Sequence, residues 1–104
     1  MLLKNVEAIN SVYPLIIARD EENVNIIEFL NGNKNNLRLT REEAEKILAP
    51  ETGSLIKFAE GAVQFYKSLW EEPEVMLYFY GKDSISLVIV PFNEFQTALT
   101  EILR

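Results

Sequence analysis

The sequence predicts an α+β domain built on an antiparallel sheet of about five strands, with the element order α-β-β-β-α-α-β-β-α. Three observations carry that expectation. Two strand–turn–strand patterns occur, one in each half of the chain. Prolines and a capping motif bound stretches of helical periodicity. With 48% apolar and 25% charged residues, the 104-residue chain has the composition of a single globular domain, 1–104, with one hydrophobic core.

The first helix is expected between Leu2 and Tyr13. Leu2, Leu3, Val6, Ile9, Val12 and Tyr13 recur at helical spacing, and Pro14 cannot continue a helix. Leu15-Ile16-Ile17-Ala18 then reads as a strand closed by the polar turn Asp20-Glu21-Glu22-Asn23. Val24 to Leu30 is a second strand, rich in β-branched residues. The run Asn31-Gly32-Asn33-Lys34-Asn35-Asn36 is turn-forming, and Leu37 to Leu39 completes an antiparallel meander.

Thr40-Arg41-Glu42-Glu43 is a capping-box pattern that starts a second helix, expected to end by Pro50. From Ser54 to Glu71 the apolar residues Leu55, Phe58, Ala59, Ala62, Val63, Phe65, Tyr66, Leu69 and Trp70 fit a helix of almost five turns. Two strands turning at Glu60-Gly61 fit the alternation only in part, so a helix is expected here. Val75 to Tyr80 and Ile85 to Val90 flank Gly81-Lys82-Asp83-Ser84 and predict a hairpin. Pro91 suits a helix start, with Asn93 and Gln96 as candidate partners for its free N–H groups. Phe92, Phe95, Leu99, Ile102 and Leu103 form the stripe of a last helix. A shift of 51 positions superposes Val24–Thr40 on Val75–Pro91, each a strand, turn, strand and helix start.

Chemistry is restricted by what the chain lacks. It has no cysteine and no histidine, which removes thiolates, disulfides and the commonest general base and metal ligand. No phosphate-cradling glycine loop occurs among the four scattered glycines. Glu71, Glu72 and Glu74, like Asp20, Glu21 and Glu22, cluster in expected turns, where water keeps carboxylates ordinary. No catalytic, cofactor or metal site is expected. The N-terminal residues lack the apolar core of a signal peptide and no window reaches membrane-span length, so a cytoplasmic protein is expected.

A formal charge of −6 repels nucleic acid at long range and favours solubility, which alone accounts for many mildly acidic proteins, or a basic partner. Arg19, Lys34, Arg38 and Arg41 are a modest basic concentration near the meander, and Glu28 has Arg38 as a candidate partner on the neighbouring strand. The decisive feature is the last hairpin, apolar on both faces: Val75, Leu77 and Phe79 on one, Met76, Tyr78 and Tyr80 on the other. A second face of that kind requires a cover, from this chain's helices, a second copy or a partner. Tyr66, Trp70, Met76, Tyr78 and Tyr80 are the candidate binding face. The function expected is a non-catalytic protein-binding module of chaperone, adaptor or inhibitor type, homodimeric; the alternative is single-stranded nucleic-acid binding through the aromatic residues.

Two resemblances bear on that choice. The run Asn25 to Thr40 with its following helix resembles the strand–turn–strand–helix of Pur-alpha-type single-strand nucleic-acid binders over about a quarter of the chain. The acidic balance and the expected helix over Ser54 to Glu71 depart from that family. The element order resembles the heart-shaped secretion-chaperone fold, which is acidic and dimeric.

Overall fold

The computed structural model describes residues 5–30, 32, 35–49, 53–67 and 72–104. It consists of two antiparallel four-stranded meanders, each followed by a helix. The first comprises β1 (Ala8–Val12), β2 (Leu15–Arg19), β3 (Asn23–Glu28) and β4 (Asn35–Thr40), then α1 (Arg41–Lys46). The second comprises β5 (Leu55–Lys57), β6 (Gly61–Tyr66), β7 (Glu74–Tyr80) and β8 (Ile85–Pro91), then α2 (Phe92–Leu103).

This order, β-β-β-β-α-β-β-β-β-α, corrects the expected α-β-β-β-α-α-β-β-α and its single sheet of about five strands. Two segments account for the difference. In the first, residues 8–12 form an edge strand paired with β2 through Val12 opposite Leu15, across the cis Tyr13–Pro14 peptide. Val6 and Ile9, assigned by the helical pattern to a buried stripe, are exposed. Leu2 to Lys4 lie outside the described residues. The likeness to the secretion-chaperone fold rested on the element order and falls with it.

In the second segment, residues 55–66 form the β5–β6 hairpin; Ser68 to Glu71 lie outside the described residues. The Phe58 N–H donates to the Gly61 carbonyl at 2.8 Å and closes the turn. Most of the segment is apolar, so its residues fit a helical period as readily as a two-sided strand. Pairing settles the matter, because β6 lies between β5 and β7 with Val63 opposite Leu77 and Phe65 opposite Val75.

The remaining elements follow the sequence reading closely. The capping box at α1 is complete: the Glu43 N–H donates to Thr40 Oγ1 at 3.1 Å, and the Thr40 N–H donates to the Glu43 carboxylate at 2.9 Å. Thr40→Ala is expected to lower stability by about 1 kcal/mol, read as a shift in the urea midpoint at constant slope. Beyond Lys46 the chain tightens, with Ile47 and Leu48 donating to carbonyls three residues back, so α1 is shorter than the expected run to Pro50. Pro91 is the N-cap of α2, but Asn93 and Gln96 do not cap it. The Phe92 N–H donates instead to the Pro73 carbonyl, and Gln96 donates to the Leu48 carbonyl.

One core runs through both halves. Leu15, Ile17, Val24, Ile26, Leu37 and Leu39 supply the first sheet's inner face, and Val63, Phe65, Val75, Leu77, Phe79 and Val90 the second's. Helix α2 buries Phe95, Ala98, Leu99, Ile102 and Leu103, and touches β1 and β2 as well as β7 and β8, so it ties the two sheets together. Its last turn has no basic residue of its own. The cations come from elsewhere: Arg19 Nε donates to the Ile102 carbonyl at 2.7 Å, and Arg41 donates to that of Leu103. The 51-residue echo has a structural counterpart, since Val24–Thr40 and Val75–Pro91 each span the last two strands and N-cap of one half.

Candidate binding face of the second sheet

Strand alternation determines what the second sheet shows on its outer side. The register aligns Leu55, Gln64, Met76 and Ile89 in one row across it. Lys57, Ala62, Tyr78 and Leu87 form the next, with Tyr80 opposite Ile85 beyond and Tyr66 opposite Glu74 at the other end. These residues share a face because directly paired residues in an antiparallel ladder point the same way. Among the described residues no helix covers it: Leu55, Tyr66, Tyr80, Ile85, Leu87 and Ile89 are each between 46% and 64% exposed. The opposite face of the same strands is sealed, with Val75, Leu77 and Phe79 at 1% or less.

Four of the five expected face residues, Tyr66, Met76, Tyr78 and Tyr80, therefore lie on one surface; Trp70 lies outside the described residues. Tyr78 is held down on the sheet. Its hydroxyl donates to Gln64 Oε1 at 2.9 Å and lies 4.0 Å from Met76 Sδ, and the side chain is half-buried above Ala62. Tyr66 and Tyr80 are the aromatic rings that project.

Sequence reasoning missed Leu55, Ile85, Leu87 and Ile89. Leu55 was lost with the expected helix. The β8 residues carry a readable signal, an aliphatic at every second position from 85 to 89, on the same face as Tyr78 and Tyr80 of β7. Together they make the surface more aliphatic than aromatic.

Charges near the face are few and mixed. Lys57 and Glu74 stand on it, with Lys82 and Asp83 in the adjoining turn. Among the described residues, the basic concentration expected near the first meander is drawn toward the end of α2. Arg19 and Arg41 are committed to α2 carbonyls, Arg19 also pairs with Glu7 at 2.7 Å, and Lys34 lies outside the described residues. Glu28 is not opposite Arg38; it is buried in line with Leu15 and Asn35, while Arg38 lies opposite Asn25.

The carboxylates of the first acidic turn have a local structural role. Asp20 accepts the N–H groups of Asn23 at 2.7 Å and Glu22 at 2.9 Å, in that order the main causes that hold its carboxyl below the ordinary range. Of the second cluster, Glu71 lies outside the described residues. Among the described residues, no three acidic side chains are grouped so as to hold a metal ion, and no helix is long and apolar enough to cross a membrane.

Comparison with known proteins finds no matching family model, no matching curated protein and no matching solved structure.

Proposed function

We propose that this chain is a non-catalytic protein-binding module of chaperone, adaptor or inhibitor type that works as a homodimer and receives its partner on the outer face of the second sheet. The observation that supports this most is the contiguity of Leu55, Tyr66, Tyr80, Ile85, Leu87 and Ile89, exposed together on a sheet whose other face is fully packed. Isolated exposed apolar residues are ordinary; a continuous two-dimensional set is characteristic of a surface that meets protein. The acidic balance suits a basic or neutral partner and a cytoplasmic setting.

A single-stranded nucleic-acid reading gains one point. The β5–β6 hairpin replaces the helix that departed from the Pur-alpha-type pattern, and Tyr66 and Tyr80 project from a sheet. The charge of −6, the aliphatic character of β8 and the engagement of the Tyr78 hydroxyl weigh against it. Stacking platforms need projecting rings and a cationic track for phosphates.

Two measurements separate these readings. A labelled single-stranded oligonucleotide titrated at low salt is expected to show no binding tighter than about 100 µM, the weak end of non-specific association. In affinity capture from source-cell lysate, bands retained by the wild type should be lost on Leu55→Lys and Tyr80→Lys and kept on Thr97→Lys, an exposed α2 control. Capture indifferent to the face substitutions, or micromolar oligonucleotide binding, overturns the proposal.

A further inference from the structure

Among the described residues, three of the four outer strands carry a feature that blunts their edge. Edge strands present unpaired N–H and C=O groups and invite other strands unless shortened, charged or capped. At β4, the Arg38 N–H donates to the Glu60 carboxylate at 3.2 Å. At β1, the Ser11 N–H donates to Asn10 Oδ1 at 2.9 Å. Strand β5 has only three residues and ends in Lys57. Strand β8 is the longest of the four: seven residues, Ile85-Ser86-Leu87-Val88-Ile89-Val90-Pro91, uncharged like β1, at the outside of its sheet.

Hydrogen bonding at both ends of the hairpin sets which β8 groups point outward. The Gly81 N–H donates to the Ser84 carbonyl at 2.7 Å and the Phe92 N–H to the Pro73 carbonyl at 2.9 Å, while the Tyr80 N–H turns away to Glu60. Alternation from those anchors aims the backbone groups of Ser86, Val88 and Val90 at β7, and those of Ile85, Leu87 and Ile89 at the open edge. Pro91 shares the outward phase but has no N–H to offer.

We infer that β8 is where a second copy of this chain joins, its own β8 running antiparallel about a two-fold axis at Leu87. This rests on the homodimeric part of the function proposed above and specifies its geometry. With Leu87 facing Leu87 and Ile85 facing Ile89, every outward N–H and C=O of these residues is used, two bonds at each facing pair. Sliding the register by two residues toward Pro91 sets that proline against a bonding position in both copies and loses two bonds, which disfavours a shift in that direction. Because the edge is uncharged, no like charges face one another across the paired strands. The register also brings the Gly81–Ser84 turn of one copy, with exposed Lys82 and Asp83, to the Pro91 end of the other. Glu74, opposite Pro91, and Glu94, in the first turn of α2, stand there. The two meanders become one eight-stranded sheet, and their outer apolar faces merge into a platform of twice the width.

The native chain has no cysteine, so single-cysteine variants report the geometry directly. The wild type should sediment at twice the 12.0 kDa chain mass. On mild oxidation, Leu87→Cys should become a covalent dimer almost completely, since its Cα atoms would stand about 5.5 Å apart. Leu55→Cys, on the far strand of the same face, should remain uncrosslinked. Ile85→Cys and Ile89→Cys should crosslink when mixed but little when separate. Leu87→Pro, which removes an outward N–H without adding charge, should sediment as a monomer. A wild type that sediments as a monomer overturns the inference, and so does a dimer in which Leu55→Cys crosslinks and Leu87→Cys does not. In the second case, partner capture by the outer face is a separate result and stands or falls on its own substitutions.

Discussion

Replacing Gly61 with alanine is expected to destabilise the protein by about 3 kcal/mol or more, at the upper end of what overpacking produces. A Cβ at this position would lie 2.0 Å from the Tyr78 carbonyl oxygen and 3.3 Å from Leu37 Cδ1. The first of these neighbours is backbone and cannot rotate away. Relief would require β6 and β7 to separate where Gly61 pairs with Phe79, at the point where the second sheet meets the first. Urea unfolding should show a large fall in midpoint. A shift equivalent to less than about 1 kcal/mol would mean that the close approach of β6 to β7 is not as described.

The second large effect is expected at Phe95. It is fully buried in α2, the element that touches strands of both sheets. Phe95→Ala removes the whole ring from that junction and should lower stability by about 3–5 kcal/mol, the transfer loss plus an unfilled cavity. Because α2 bridges the halves, unfolding should remain a single transition at a lower midpoint. Two separated transitions in the variant would show that the halves do not share one core. Substitutions at Ile85, Leu87 or Ile89, which are no less apolar, should change stability little, because their side chains are half exposed already. That contrast between Phe95 and the β8 stripe distinguishes the residues that hold the fold from those that face outward.

Local chemistry made part of this architecture legible. The Thr40–Glu43 capping box, the turn residues around Gly81, and the β-rich runs at 24–27 and 85–90 each act within a few residues, and each produced the expected element, while Asn31, Asn33 and Lys34 of the other expected turn lie outside the described residues. The elements that were not legible are those that pairing decides. Residues 8–12 and 55–66 are apolar at positions that satisfy a helical period, and only their neighbours β2 and β7 make them strands. The candidate face shows the same division. Its need for a cover could be read from β7 alone, apolar at every position from Val75 to Tyr80. That this face stays exposed among the described residues, and that Leu55 and the β8 aliphatics belong to the same surface, depends on the register of four strands and on where α2 docks. Met76 and Tyr78 illustrate the limit. Both are on the expected face, yet a hydrogen bond to Gln64 keeps Tyr78 flat, which residue type alone does not disclose.

The central claim is that the outer side of the second sheet is where this protein meets protein. Hydroxyl-radical footprinting of the isolated chain and of the complex it captures reads that surface residue by residue. Protection is expected to concentrate on Leu55, Tyr66, Tyr80, Ile85, Leu87 and Ile89, with α2 and the first sheet labelled as before. Unchanged labelling of those six side chains, with protection appearing instead on α2 or the first meander, would contradict it.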